Sequence, residues 1–271
     1  MAANGFGSAM FEQAGRGSRI LFVGFAFLAF DIGGLMVRML FFPLLLVSVR
    51  DEQSRAEVAR DFIGWSYRSL IAFLRSSGVL DYKVIGAEKL ERPGLLILAN
   101  HPTFLDIVFL MAVVKRSDCI VKSGLWRNPF LRGPVIAANY IRNDHSAGLM
   151  HDCVAALSRG ESLIIFPEGT RTPLNGALKL QRGAAHIAVR SGCNITPVLI
   201  RCQPPMLARG VRWWKLPKNR SRFDIEVKDE IDIQPFVARG ERGFGGTAPD
   251  RSSARFFCKG TAHPCKRLKM R

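Results

Sequence analysis

The sequence predicts an α/β fold that follows an N-terminal hydrophobic membrane-anchoring helical segment. Two observations lead to this prediction. Ile20 to Val49 form an almost uninterrupted apolar run, longer than the roughly 20 residues that a helix needs to cross a bilayer core. After Gly78, short apolar runs alternate with longer amphipathic segments, which is typical of an α/β layer fold. The predicted divisions are an anchoring segment (1–50), a connecting amphipathic helix (51–78), a main domain (79–236) and a basic, disordered tail (237–271).

Charged residues and glycines interrupt the apolar run near its middle. Asp31 and Arg38 flank Gly33–Gly34, and a charge at the centre of an isolated spanning helix costs a few kcal/mol. One straight span is therefore one interpretation, and two shorter helices that break near the glycine pair or at Pro43 and lie partly in one leaflet are another. A third is a buried helix pair of a soluble protein. Arginines on both sides of the run leave the orientation open.

Gly and Pro boundaries locate the remaining elements. An apolar set that includes Phe62, Trp65 and Leu70 predicts a helix over residues 53–77. The predicted strands are 82–85, 94–99, 118–121, 162–166, 195–200 and 222–228. The predicted helices between them are 103–115, 127–137, 146–159 and 178–191.

The charge balance predicts an anionic partner. Lys and Arg number 39 against 22 Asp and Glu, a net charge of +17. Nucleic acid, anionic lipid, phosphorylated substrates and acidic carrier proteins all fit such a charge. Because a chain with 19 Phe and a long apolar run is not typical of nucleic-acid binders, we expect no nucleic-acid partner.

The cysteines predict a reducing environment. The six cysteines show no C-x-x-C pair and no regular spacing, which indicates reduced, unligated thiols and a main domain that faces the cytoplasm. No cluster of His, Cys and acidic residues has metal-ligand spacing, so no metal site is predicted.

The first candidate site is the segment Asn100–Asp106, at the end of the predicted strand 94–99. The ends of strands are where α/β sheets present reactive groups. Pro102 can start a helix, and the Asp106 carboxylate can then reach back to His101 and orient its imidazole as a general base. The alternative is a histidine at a helix entry, with Asp106 as a favourable charge at the helix N-terminus.

The second candidate site is the segment Phe166–Thr172, directly after another predicted strand. Gly169 permits a tight turn, and Thr170 belongs to the same loop. Arg171 supplies a planar fork of donors for phosphate oxygens, and Glu168 can hold that fork or a substrate hydroxyl. Taken alone, this segment would be an ordinary loop.

Together, the motifs N-H-P-x-x-x-D and F-P-E-G-T-R resemble the 1-acylglycerol-3-phosphate acyltransferase family, also called the lysophospholipid acyltransferases. Ile195–Val198 resembles the last motif of that family, and Lys179–Ala184 resembles its helix start after the glutamate loop. The stretch from Lys122 to Gly133 is similar to its middle region. The resemblance covers residues 82–200.

The resemblance implies a mixed sheet flanked by helices and an acyltransferase catalytic domain over 79–236. His101 and Asp106 would be catalytic, and Glu168, Gly169, Thr170 and Arg171 would bind substrate. The acyl donor would be a thioester of acyl carrier protein or coenzyme A, with no further cofactor. The acceptor would be a lysophospholipid of the membrane, most simply 1-acyl-sn-glycerol-3-phosphate, which would be converted to phosphatidate.

One position departs from the family pattern. The second motif of the family has the form F-I-x-R, whereas here the arginine, Arg142, comes one position early and Asn143 follows it. Either Arg142 binds the glycerol phosphate or Asn143 has replaced that arginine. Two alternatives therefore stay open: an acyltransferase for a phosphate-free acceptor such as a lyso-ornithine lipid, and a non-enzymatic basic protein that binds membranes or nucleic acid.

Overall fold

The computed structural model describes residues 4–143, 148–172, 181, 183–235 and 237. The helices are α1 (Asn4–Met36), α2 (Phe42–Ser48), α3 (Glu52–Ser76), α4 (Asp106–Val113), α5 (Arg132–Ala137), α6 (Gly148–Ser158) and α7 (Gly183–Ser191). The strands are β1 (Leu80–Ile85), β2 (Leu96–Ala99), β3 (Asp118–Lys122), β4 (Ile141–Asn143), β5 (Leu163–Ile165), β6 (Ile195–Gln203) and β7 (Ser221–Val227). A π-helical turn, Val37–Phe41, joins α1 to α2, and short 3-10 helices cover Ala87–Leu90 and Ser123–Arg127.

The strands form one mixed sheet of seven strands in the order β1-β7-β6-β2-β5-β3-β4. All neighbouring pairs are parallel except β6 and β7. β2 lies at the centre because its four residues, Leu96–Ala99, are apolar and buried, as a parallel strand covered on both faces requires. The predicted mixed sheet flanked by helices is confirmed. Parallel pairing brings the carboxyl ends of β2, β5, β3 and β4 to one edge.

Helices cover the sheet on two sides. One apolar cluster contains buried residues of α3 and α4 and the inner side of α1, and the other contains buried residues of α6 and α7. Arg60 of α3 is buried, and its guanidinium lies 3.3 Å from both Asp118 and Glu161. This ion-paired group ties α3 to the sheet edge opposite the candidate site.

The N-terminal segment from Gly15 to Ser48 is helical and, by length and composition, can cross a membrane. It does not break at Gly33–Gly34. α1 continues to Met36, and the irregular turn comes at Val37–Phe41. Gly34 instead permits close packing, because a Cβ atom there would overlap the carbonyl group of Phe130. Helical structure also continues through Pro43, near the start of α2, where a missing N–H costs little.

The structure differs from several predicted boundaries. The helix predicted at 103–115 spans Asp106–Val113, and the one predicted at 127–137 is a 3-10 helix followed by the short α5. The short edge strand β4 was not predicted. Much of Lys179–Ala184, the segment that resembles the helix start of the family, lies outside the described residues. The predicted tail also lies outside them, except for its first residue.

Candidate active site

The two sequence motifs meet at the carboxyl ends of β2 and β5, which are parallel neighbours. Hydrogen bonds join the loops that follow. The backbone N–H of Thr172 donates to the carbonyl oxygen of His101 at 2.7 Å. The backbone N–H of His101 donates to Glu168 Oε1 at 3.0 Å, and the Thr172 hydroxyl donates to the same oxygen at 2.8 Å. Strand order thus places residues that are distant in sequence in one site.

His101 and Asp106 form the predicted pair. His101 Nδ1 lies 2.9 Å from Asp106 Oδ2. The imidazole is stacked on the Phe166 ring, with centroids 4.2 Å apart, and its side chain is 18% exposed. When Nδ1 donates to the carboxylate, Nε2 is the ring nitrogen that can accept a proton. Asp106 thus orients an imidazole that has limited access to solvent, and the general-base role of His101 stays a prediction.

Thr103 completes the surroundings of Asp106. Its backbone N–H donates to Asp106 Oδ2 and its hydroxyl donates to Asp106 Oδ1, both at 2.6 Å. Burial raises the pKa of Asp106, and the donors from His101 and Thr103 oppose that rise. Asp106 is also the first residue of α4, where the helix dipole favours a negative charge. Sequence reasoning missed Thr103, although its place three residues before Asp106 is a signal for such a capping bond.

Glu168 holds the two loops together. Its carboxylate is buried and accepts the two bonds from His101 and Thr172 described above, and burial raises its pKa. The sequence prediction gave it the Arg171 guanidinium or a substrate hydroxyl as a partner. In the structure its partners are the loops of the site. Its predicted contact with substrate stays a prediction.

Arg171 extends from the second loop toward the end of β6. Its Nη1 donates to the carbonyl oxygen of Leu207 at 3.0 Å, and the backbone N–H of Phe104 donates to that same oxygen at 3.2 Å. The side chain is half-buried. One donor of the guanidinium is thus used within the protein, and a guanidinium has further N–H groups to offer a ligand.

The backbone N–H groups near the site are unequally available. Those of Thr103, Phe104 and Leu105 all donate within the protein, and that of Gly169, at φ 66°, donates to Phe166. Those of Glu168, Thr170 and Arg171 have no acceptor among the described residues. These three N–H groups are therefore the candidates within the described part of this loop for binding an oxyanion.

Arg142 lies apart from His101. It is exposed on β4, and its guanidinium carbon lies 5.8 Å from the Trp126 ring centroid. β4 is three strand positions from β2, about 14 Å at the usual spacing of about 4.8 Å. Lys122, at the end of β3, is one strand nearer and exposed at the same edge. Asn143 has a buried side-chain oxygen without a partner among the described residues.

The region that contains this site is similar in sequence to known acyltransferases. A family model described as Acyltransferase matches residues 81–201. 1-acyl-sn-glycerol-3-phosphate acyltransferases from Chlamydomonas reinhardtii and Saccharomyces cerevisiae are 26% and 30% identical over 191 and 133 residues. These matches cover 67% and 45% of this chain, and 54% and 43% of the relatives. The chain is thus similar in sequence to the Acyltransferase family model, over residues 81–201, and to these acyltransferases. It spans about half the length of the curated relatives it matches.

The fold is that of a solved structure. The crystal structure of the 1-acyl-sn-glycerophosphate acyltransferase PlsC from Thermotoga maritima matches with a TM-score of 0.64 and 19% identity. The match covers 88% of this chain and all of that one. The N-terminal helices and the sheet therefore share one architecture with it.

Apolar space adjoins the site. A cavity of about 690 Å³ lies between α1 and α3. A narrower crevice reaches Phe104 and Leu105, beside Asp106, and shares Ala26, Phe30 and Leu70 with the lining of the larger cavity. Apolar space thus lies on both sides of these three shared residues, along α1 and beside the His101 loop.

Cys119 and Cys153 are buried, and burial raises the pKa of both thiols, that of Cys153 to about 12. Within the described ranges, no group of three His, Cys, Asp or Glu side chains is arranged to hold a metal ion.

Proposed function

We propose that this chain is a membrane-bound O-acyltransferase that acylates the free hydroxyl of a lysophospholipid, with 1-acyl-sn-glycerol-3-phosphate as the acceptor and phosphatidate as the product. The observation that carries this proposal is the His101 to Asp106 contact of 2.9 Å beside Glu168. The similarity to 1-acyl-sn-glycerol-3-phosphate acyltransferases supports this acceptor. The donor is the thioester of acyl carrier protein or coenzyme A, which the +17 charge favours because both are acidic.

In the proposed mechanism, His101 Nε2 accepts the proton of the acceptor hydroxyl as that oxygen attacks the thioester carbonyl carbon. The N–H groups of Glu168, Thr170 and Arg171 are the candidates to donate to the oxyanion that forms. The carbon–sulfur bond then breaks, and the leaving thiolate takes the proton from the imidazolium. Asp106 stabilises the imidazolium in between. Direct transfer is preferred because none of the cysteines lies in a motif that marks a nucleophile and no G-x-S-x-G elbow occurs.

The membrane supplies the lysophospholipid acceptor. The exposed apolar side chains of α1, including Leu21, Phe25 and Leu28, suit a bilayer, and the cavity behind them suits a hydrocarbon chain. We place the catalytic domain on the cytoplasmic side, where thioester donors occur. Membrane fractionation tests the association, because recovery of the full chain in the soluble fraction without detergent would contradict it.

A direct assay tests the activity. The purified full chain in nonionic detergent receives a labelled acyl thioester and a panel of lysolipids, and mass spectrometry identifies the product. We expect phosphatidate from 1-acyl-sn-glycerol-3-phosphate, and loss of at least about a hundredfold in rate for His101→Ala. Absence of acylated product with every acceptor, under conditions where the chain is folded, would refute the proposal.

A phosphate-free acceptor is the second candidate, and the position of Arg142 favours it. Its side chain is directed to Trp126 at the far edge of the sheet, so a phosphate would have to bridge a long gap to it. In the lysophosphatidate reading, Arg142→Ala raises the acceptor KM as Arg171→Ala does. In the phosphate-free reading both variants leave the KM of the preferred acceptor unchanged. Steady-state kinetics with each acceptor separates the two.

A further inference from the structure

The loop between β6 and β7 combines exposed tryptophans with a run of cations. We define the tryptophan loop as Leu207–Arg220. Trp213 and Trp214 are 41% and 43% exposed. Five basic residues accompany them, all exposed: Arg209, Arg212, Lys215, Lys218 and Arg220. No acidic residue occurs from Pro204 to Phe223. Large aromatic side chains beside uncompensated positive charge indicate a binding surface.

Contacts within the tryptophan loop define its conformation. Leu216 is buried, and turn hydrogen bonds run from Val211 N–H to Ala208 O and from Lys215 N–H to Arg212 O. The Arg212 guanidinium carbon lies 5.2 Å from the Trp214 ring centroid. The two tryptophan rings meet edge to face at 5.5 Å. The loop therefore holds its aromatic and cationic groups in place without burying them.

The same loop is continuous with the exposed side of α1. The Trp213 ring centroid lies 6.0 Å from that of Phe27. A Cβ on Gly24 would lie 3.3 Å from the Trp213 ring, so the glycine admits the indole against the helix. Arg19 donates a hydrogen bond to the carbonyl oxygen of Lys218. The two tryptophans and the apolar side chains of α1 thus form one surface, with the loop cations along it.

We propose that the tryptophan loop binds the anionic headgroups of the bilayer that receives α1. Tryptophan is enriched at the level of lipid headgroups, and Lys and Arg there pair with lipid phosphates. An acidic carrier protein would also suit the cations, but continuity with an apolar helix favours lipid. This inference rests on the proposed membrane function and adds a preference for anionic lipid.

The base of the loop belongs to the catalytic site. The carbonyl oxygen of Leu207 accepts from Phe104 and from Arg171, and Ala208 forms a bridge with Thr103. Lipid bound by the loop therefore holds the His101 loop at headgroup depth, where the hydroxyl of a lysolipid lies.

Vesicle flotation of the full chain tests the proposal. The vesicles contain phosphatidylcholine alone or with about one-third phosphatidylglycerol. The loop variant is Arg212→Gln/Lys215→Gln/Lys218→Gln. The matched control removes the same charge from exposed positions on other elements: Lys83→Gln/Lys115→Gln/Arg190→Gln. Each cation near an anionic surface strengthens binding about fivefold. The ratio of binding to anionic vesicles over binding to phosphatidylcholine vesicles should therefore be at least about tenfold lower for the loop variant than for the wild type. The control should keep it.

Two further measurements test whether charge and the exposed tryptophan contribute to vesicle binding. Added salt should weaken wild-type binding to the anionic vesicles and have less effect on the loop variant, which shows that charge and not folding is at issue. Trp214→Ala should weaken binding to both kinds of vesicle. An unchanged anionic preference in the loop variant would overturn the proposal. So would a raised KM for the carrier-protein donor alone, since the loop would then dock that protein.

Binding is read without acyl transfer, so the two proposals fail separately. His101→Ala should bind both kinds of vesicle as the wild type does while transferring no acyl group. A chain without activity but with the expected anionic preference would overturn the proposed function and leave the tryptophan loop assignment standing.

Discussion

Replacing Asp106 with asparagine isolates the charge of the proposed catalytic pair, His101 and Asp106. The backbone N–H of Thr103 and the His101 ring both point at Oδ2, at 2.6 and 2.9 Å. A backbone N–H can only donate, so the asparagine carbonyl must occupy the Oδ2 position. The amide nitrogen then replaces Oδ1 and donates to the Thr103 hydroxyl, which can accept. The imidazole keeps its tautomer, and the variant loses the negative charge alone.

The magnitude follows from the geometry. At an effective dielectric constant near 20, opposite charges about 4 Å apart attract by about 4 kcal/mol. Part of that attraction is lost to relaxation of the site, so about 3 to 4 kcal/mol of imidazolium stabilisation disappears. We expect kcat/KM to fall between about a hundredfold and a thousandfold.

The assay is thiol release from the acyl donor in nonionic detergent, with thermal unfolding measured in parallel. Asp232→Asn makes the same chemical change at an exposed position and should behave as the wild type. Retention of more than about a third of wild-type activity by Asp106→Asn would refute the charge argument. A loss well beyond about a thousandfold would refute the claim that the tautomer is kept.

Three further predictions concern the neighbours of the pair. Thr103→Val removes a hydrogen-bond donor to the Asp106 carboxylate and raises the pKa of Asp106 further. If the carboxylate is the active form, lowering the pH should abolish activity at a higher pH in Thr103→Val than in Thr103→Ser, as a pH–rate profile would reveal. Glu168→Ala removes the acceptor of the His101 backbone N–H and should lower the free energy of unfolding by about 1 to 3 kcal/mol. Glu168→Gln keeps an acceptor, so its melting temperature should be close to that of the wild type. Arg171→Ala should raise the acceptor KM more than the donor KM, and Arg171→Lys should restore only part; equal effects on both substrates would contradict a phosphate contact.

The sequence alone determined the features that depend on neighbouring residues. The apolar run from Ile20, the α/β alternation and the two motifs with His101 and Glu168 were all visible, because hydrophobic periodicity and short motifs are local properties. Strand boundaries came within a few residues for the longer strands. The three-residue β4 was missed because so short a run carries too little pattern.

Tertiary structure decided how these pieces act together. Glu168 bonds the His101 loop because β2 and β5 are neighbours in the sheet, although β3 and β4 separate them in sequence. Arg171 and Arg142 were both predicted to bind phosphate, but Arg171 reaches Leu207 in the loop after β6, whereas Arg142 stands on the edge strand β4. Hydrogen bonds between residues far apart in the chain leave no periodic trace in the sequence, so only the packed sheet could reveal these partners.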